Sequence, residues 1–96
     1  MEKMYNKDVD ALFDAILSLK NREECYNFFT DALTVKEILD IAQRLKAAKM
    51  LKNGNSYTEV CKETGMSTAT ISRVSKALEK GEGGYELVIK RTEKNK

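Results

Sequence analysis

The sequence predicts an all-α fold, and three of its features support this class. Its 96 residues include no proline, and three of the five glycines come late, at Gly81, Gly83 and Gly84. Apolar residues recur at intervals of three and four through most of the chain, which is the period of a helix with one buried face. Asn, Ser or Thr is followed by Glu three positions later at three places, which is the pattern of a capping box. The chain is therefore predicted to form one helical domain over residues 1–96.

Three helices are predicted in the first half of the chain, after frayed residues 1–6. The first covers residues 7–20, and the next two open at capping boxes that begin at Asn21 and Thr34. The third helix is expected to reach about Asn53, and its apolar stripe is broad for so small a domain. This stripe indicates either a central helix that packs on several neighbours or a surface that is buried against a partner chain.

Residues 56–80 predict two short helices joined by a tight turn, the layout of a helix-turn-helix. Ser56 opens the third capping box and so begins the first of these helices. Gly65 is expected to end it, because glycine adopts a positive φ without a Cβ clash. Ser67 is the candidate N-cap of the second helix, which is predicted over residues 68–80. A helix-turn-helix lays its second helix in the DNA major groove, so this segment is the candidate functional site.

Small and apolar residues stand where the two steeply crossing helices would meet. Val60 and Cys61 are slim enough for a close crossing, and Met66, Ile71 and Val74 are expected to fill the wedge between the helices. Short hydroxyl and methyl groups would then face outward near the start of the second helix, where they can approach base edges, with cations further along that can reach phosphates. These outward residues are Thr68, Ala69, Thr70, Ser72, Arg73 and Lys76. The other interpretation is an ordinary helical hairpin with a solvated face.

Charge is distributed unevenly along the chain, although the net charge is only +2. Residues 1–33 hold four basic and seven acidic side chains, whereas residues 34–96 hold thirteen basic and eight acidic ones. Residues 43–53 contain basic side chains and no acidic one. This distribution favours a polyanion-binding face on one side of the molecule, although a solvated helix face is the usual origin of such a run.

Cysteine and histidine usage excludes most site chemistry. Cys25 and Cys61 are far apart and no histidine is present, so the sequence has neither a zinc pattern nor a His-assisted nucleophile. Both thiols are expected to be small buried groups in a reducing cytoplasm. No phosphate-binding glycine loop or serine elbow is found, and the protein is predicted not to be an enzyme. No apolar run is long enough for a membrane span or a signal peptide, so a cytoplasmic location is expected.

The C-terminal segment is the least determined part of the chain. Residues 81–84 are glycine-rich and predict a flexible joint. Residues 85–91 hold too few apolar side chains to choose between helix and strand, and we expect a short docked segment. A disordered tail is expected over residues 92–96.

Two segments of the chain resemble the Trp repressor family. They are Leu33-Thr34-x-x-Glu37 with Arg44 downstream, and Gly65-x-x-x-Ala69-Thr70-Ile71-Ser72-Arg73. The resemblance extends over residues 7–91, and the length and extra N-terminal helix are most similar to the YerC/YecD-type members. It implies a Trp repressor-like helical domain that forms an intertwined homodimer, with two helix-turn-helix units on one face.

The resemblance also implies how such a dimer would bind double-stranded DNA. The two second helices would enter successive major grooves of a near-palindromic operator, with half-sites about 34 Å apart. The residues expected to face bases are Ser67, Thr68, Ala69, Thr70 and Ser72. Those expected to contact phosphates are Tyr57, Thr58, Lys46, Lys49, Lys52, Lys62, Arg73 and Lys76.

An effector pocket is a further implication of the resemblance. In the tryptophan-binding member the ligand is held by two arginines together with a leucine and a threonine of the other subunit, and the matching residues here are Arg44, Arg73, Leu33 and Thr34. In the tryptophan-binding member a glycine follows the second arginine and leaves room for the indole ring, whereas Val74 follows it here. We therefore expect no tryptophan binding and no cofactor. The arginines would hold another small carboxylate, or pair with acidic neighbours such as Asp40.

Together these features predict a sequence-specific double-stranded DNA-binding transcriptional regulator, most simply a repressor, that acts as a homodimer. The alternative is a helical dimer that uses the same hairpin to bind a protein partner. The sequence leaves open the operator, the regulated genes and the identity of any effector.

Overall fold

The computed structural model describes residues 5–93, and this part of the chain forms six helices and no strand. The all-α class is therefore confirmed. The helices are α1 (Lys7–Leu17), α2 (Arg22–Ala32), α3 (Val35–Lys52), α4 (Tyr57–Thr64), α5 (Thr68–Lys80) and α6 (Gly84–Glu93). The chain divides into two compact units between Ile38 and Leu39, so that α3 begins in the first unit and ends in the second. The assignment of residues 1–96 to one domain stays a prediction.

Asparagine caps begin both α1 and α2. The Asn6 side-chain oxygen accepts the Val9 N–H at 2.8 Å, and the Asn21 oxygen accepts the Glu24 N–H at 2.9 Å. The Glu24 carboxylate accepts the backbone N–H of Lys20 at 2.8 Å, one residue before the N-cap. These bonds satisfy donors that the first turn of a helix leaves unpaired. The predicted cap at Asn21 is confirmed, whereas the prediction of frayed residues 1–6 is wrong at Asn6, which caps α1.

The end of α1 differs from the prediction of residues 7–20, because α1 stops at Leu17. Ser18 forms the C-cap, and its hydroxyl donates to the Ala15 carbonyl at 2.6 Å. Serine competes in this way for the carbonyls of the preceding turn, so it favours a helix end over a helix interior.

Neither α1 nor α2 contains a buried residue. Phe28 and Phe29 pack edge to face with ring centroids 5.3 Å apart, but both rings are only half-buried. Leu17 is 82% exposed. Large exposed apolar side chains of α1, α2 and the first half of α3 are Leu12, Phe13, Leu17, Tyr26, Val35, Leu39 and Ile41. Amphipathic helices normally bury such a face, so these side chains are available to another surface.

The second unit has a small buried core to which four helices contribute. Its buried residues are Ala47 and Ala48 of α3, Val60 of α4, Ile71 and Val74 of α5, and Ile89 of α6. The predicted wedge is confirmed at Val60, Ile71 and Val74. Cys61 and Met66 pack against this core but are only half-buried. The alanines on α3 let the neighbouring helices approach closely, because they leave little side-chain volume at the contact.

The α4–α5 turn has the predicted chemistry. The Ser56 N–H donates to the Glu59 carboxylate at 2.7 Å while the Ser56 hydroxyl accepts the Glu59 N–H at 3.1 Å, a complete capping box. Gly65 is the C-cap of α4 with φ of 72°, the left-handed conformation. Ser67 caps α5 through its hydroxyl, which accepts the Thr70 N–H. The helix-turn-helix is thus set by local hydrogen bonds and one glycine.

We expect Gly65→Ala to lower the free energy of unfolding by about 1 kcal/mol, because a Cβ disfavours the left-handed conformation. An added Cβ at Gly65 would meet no atom within 4 Å, so the cost is conformational and not a clash. Gly84→Ala is the matched control, since Gly84 has equally open space and lacks a positive φ. Urea unfolding of both variants measures the difference. Equal stability of the two variants would contradict the role given to φ at Gly65.

The segment left undecided by the sequence is helical, since α6 covers residues 84–93. Ile89 anchors it in the core, so the expectation of a docked segment is confirmed. The prediction of a disordered tail from residue 92 is wrong at its start, because Thr92 lies in α6 and its hydroxyl donates to the Val88 carbonyl at 2.7 Å. Residues 94–96 of that tail, and residues 1–4 of the predicted frayed start, lie outside the described residues.

Candidate nucleic-acid interface

The N-terminal half of α5 presents short side chains to solvent. Thr68, Ala69 and Ser72 are exposed, while Ile71 and Val74 on the opposite side are buried. A helix can insert into the major groove only if one face anchors it to the body and the other projects. The exposed residues supply hydroxyl groups that can donate to or accept from base edges, and methyl groups that can contact thymine.

Two of the predicted base-facing residues are already engaged with each other. The hydroxyl oxygens of Ser67 and Thr70 are 3.0 Å apart, and the Ser67 hydroxyl also accepts the Thr70 N–H at 3.2 Å. Thr70 is half-buried, unlike its neighbours Thr68 and Ala69. This pair therefore holds the start of α5 in place, which leaves less hydroxyl capacity for base contacts than the sequence pattern indicated.

The start of α4 forms a second exposed element. Tyr57 and Thr58, both predicted phosphate contacts, are exposed in its first turn. The Ser56 backbone N–H lowers the pKa of Glu59, and side-chain hydrogen bonds from Asn55 and Ser56 lower this pKa further. The Glu59 carboxylate thus stays charged at neutral pH, as the reciprocal cap requires.

The predicted phosphate-binding cations fall into two groups. Lys46 forms an ion pair with Glu63 at 3.4 Å, and Lys52 forms one with Glu86 at 3.6 Å. Sequence reasoning missed both carboxylates, because ion pairs between distant segments leave no local spacing signal. The other group has no ion pair within residues 5–93 and consists of Lys49, Lys62, Arg73 and Lys76.

Arg44 and Arg73 line a common cavity of about 310 Å³ in the second unit. Its other lining residues are Thr70, Val74, Ala77 and Tyr85. Within the described chain neither guanidinium group forms an ion pair, so of the two alternatives the pairing with acidic neighbours such as Asp40 is not seen. Tyr85 was not predicted as a lining residue, because the sequence did not settle the structure of its segment. Two unpaired guanidinium groups on one cavity suit a carboxylate or another small anion.

Leu33 and Thr34, the other two residues of the implied effector pocket, lie in the first unit between α2 and α3. Leu33 is the C-cap of α2. The Thr34 N–H donates to the Glu37 carboxylate at 2.9 Å, and the Thr34 hydroxyl accepts the Glu37 N–H at 3.1 Å. Within one chain both residues therefore serve a helix junction, and their contribution to the pocket of another subunit stays a prediction.

Other site chemistry receives no support from residues 5–93. This part of the chain has no group of three or more Cys, Asp or Glu residues that could hold a metal ion. Cys25 and Cys61 are free and half-buried, so the expectation that both are buried is not met. None of the described helices is both long enough and apolar enough to cross a bilayer.

Comparison with known proteins places the chain in a family. The sequence profile of the family described as Trp repressor protein matches residues 7–93. The chain belongs to the Trp repressor family. The uncharacterized protein YerC of Bacillus subtilis (strain 168) is 50% identical over 91 residues, which is 95% of this chain and 88% of YerC. The resemblance predicted from the two sequence segments is therefore confirmed.

Two solved structures share this fold. A TrpR-like protein from Eubacterium eligens ATCC 27750 is 46% identical with a TM-score of 0.93, over 96% of this chain and 95% of that one. A proposed Trp repressor from Staphylococcus aureus is 50% identical with a TM-score of 0.92, over 96% and 92% of the two chains. Membership gives this chain the helical fold of a DNA-binding regulator, in a family that is regulatory and not enzymatic.

Proposed function

We propose that the protein is a sequence-specific double-stranded DNA-binding transcriptional regulator, a repressor, that acts as a homodimer in the bacterial cytoplasm. One observation carries the proposal. The start of α5 projects Thr68, Ala69 and Ser72 into solvent, while Ile71 and Val74 fix the same helix in the core. The fold of the family supports the same function, as do Arg73 and Lys76 of this helix, which form no ion pair within residues 5–93.

The proposed complex places α5 of each subunit in the major groove. Base edges would meet the exposed hydroxyl and methyl groups, in part through water, and Arg73 and Lys76 would bind phosphates. Two subunits related by a twofold axis would read half-sites about 34 Å apart. Repression follows most simply if such a dimer occludes a promoter.

Selection of bound sequences from a pool of random duplexes tests this function directly. We expect a near-palindromic consensus whose half-sites are separated by one helical turn. Specific affinity should exceed affinity for mixed-sequence DNA by a factor of about 1,000 or more. Recovery of unenriched sequences, with equal affinity for every duplex, would contradict sequence-specific regulation.

The homodimer is supported by the first unit. Its helices α1 and α2 bury none of their residues, yet α1 exposes the apolar side chains of Leu12, Phe13 and Leu17. A second copy of the chain would cover this face and add the core that so short a chain lacks.

The alternative function is a helical dimer module that uses the α4–α5 hairpin to bind a protein partner, with the exposed side chains of Thr68, Ala69 and Ser72 as its contact residues. This alternative predicts no duplex binding even at low salt, because it assigns the cations to solvated positions. Duplex binding by the wild-type protein therefore separates the two functions.

We expect the protein not to bind tryptophan. Val74 lies in the wall of the Arg44–Arg73 cavity and is 3% exposed, so its methyl groups occupy space that an indole ring would need. Calorimetric titration with tryptophan should show no heat of binding. The same titration of Val74→Gly, which removes the side chain, tests whether the volume of Val74 is what prevents binding. Micromolar binding to the wild-type protein would contradict this prediction. A smaller carboxylate remains compatible with the two guanidinium groups.

A further inference from the structure

Two ion pairs of the second unit each use a lysine from the predicted phosphate-binding set. Lys46 and Lys52 both lie on α3, while their partner carboxylates come from other helices, Glu63 from α4 and Glu86 from α6. The nitrogen-to-oxygen distances are 3.4 and 3.6 Å. Each lysine is thus held by a carboxylate where a DNA phosphate is expected.

These pairs are open to exchange with another anion. The side chains of Lys46 and Glu63 are 50% and 61% exposed, and those of Lys52 and Glu86 are 35% and 62% exposed. Ion pairs of this exposure hold weakly, because water and salt screen them. A phosphate carries its own charge and can therefore displace the carboxylate, but the displaced carboxylate stays close and repels the DNA.

Glu86 also lies near the start of α4, where the interface is expected. Lys52, Glu86 and Tyr57 line one cavity of about 400 Å³, together with Glu79. Tyr57 is itself a predicted phosphate contact at the first position of α4. Two carboxylates and one lysine thus face the place where DNA backbone would approach, so the local field there is less positive than the lysines alone would make it.

We propose that Glu63 and Glu86 are internal competitors of DNA phosphate, which bind Lys46 and Lys52 in the free protein and so set an upper limit on affinity for DNA. The inference rests on the proposed DNA-binding function and adds two acidic residues to its determinants. Competition of this kind weakens binding to every sequence equally, because phosphate contacts carry no base information. Affinity for an operator and affinity for bulk DNA are then lowered by the same factor, and discrimination between sequences is unchanged.

Affinity for a mixed-sequence duplex of about 30 base pairs, long enough for two half-sites, measures the effect. We expect Glu63→Gln and Glu86→Gln each to tighten binding about threefold at low salt, the size of one exposed charge pair. The matched control is Glu23→Gln on α2, an exposed carboxylate with no ion pair to these lysines, which changes net charge equally. This control should leave affinity nearly unchanged.

A double-mutant cycle separates competition from general repulsion. If Glu63 acts by holding Lys46, its replacement should give little gain in a Lys46→Gln background. An undiminished threefold gain in that background would overturn the inference, because the carboxylate would then act only through its charge. The same cycle applies to Lys52→Gln and Glu86→Gln. Circular dichroism and thermal unfolding of each variant show that the helices are intact.

Failure of the competition inference and failure of the proposed DNA-binding function give different results in these measurements. If the wild-type protein binds the duplex and both Gln variants bind it equally well, the inference is wrong and the proposed function stands. If neither the wild-type protein nor any variant binds a duplex at low salt, both the proposed function and the inference are wrong.

Discussion

Replacing Arg73 and Lys76 with Glu is expected to weaken duplex binding by about 100-fold or more at moderate salt. Both side chains are exposed on α5 beyond its projecting start, and neither has an ion-pair partner within residues 5–93. Each lost phosphate contact should also lower the slope of log affinity against log salt by about 0.9. Fluorescence anisotropy at several salt concentrations gives both quantities.

The control for this variant is the pair Lys7→Glu and Lys20→Glu. Both lysines are exposed and lie in or next to α1, and the double change alters net charge by the same amount. If charge reversal on α1 weakened binding as strongly as reversal on α5, the effect would be one of net charge and not of contact. Retained affinity and slope in the α5 variant would argue against α5 as the DNA-binding helix.

The features that the sequence predicted well are those that adjacent residues determine. The Ser56 and Glu59 capping box, the positive φ of Gly65 and the Ser67 cap each arise from groups within a few residues of one another. Helix boundaries of the helix-turn-helix follow from these bonds. The end of α1 shows the limit of this reasoning, since apolar periodicity continues past Ser18, whereas α1 ends at Leu17 with Ser18 as its C-cap.

The features that the sequence missed depend on contacts between distant segments. Spacing along the chain does not predict the ion pair between Lys46 and Glu63. It also does not predict that Tyr85 lines the cavity of Arg44 and Arg73. The helical state of residues 84–93 likewise depends on Ile89 reaching the core of other helices. Local propensity is a weak guide where tertiary packing decides.

Replacing Phe13 and Leu17 with Asp is expected to raise the dissociation constant of the dimer by about 1,000-fold. Both side chains lie on one face of α1 and are exposed in the single chain, at 51% and 82%. The substitutions therefore remove little packing within the chain, but a covering second copy would have to bury two carboxylates, which costs several kcal/mol. Sedimentation equilibrium over a range of protein concentrations measures the dissociation constant.

The Lys7→Glu and Lys20→Glu variant again serves as the control, since it also adds two carboxylates at exposed positions of the same region. It should sediment as the wild-type dimer does. Loss of the dimer should weaken DNA binding as well, because each helix-turn-helix would then bind its half-site without the effective concentration that its partner provides. A dimer unaffected by Asp at Phe13 and Leu17 would place the subunit contact elsewhere, and a monomeric wild-type protein would leave the exposed apolar face of α1 to a different partner.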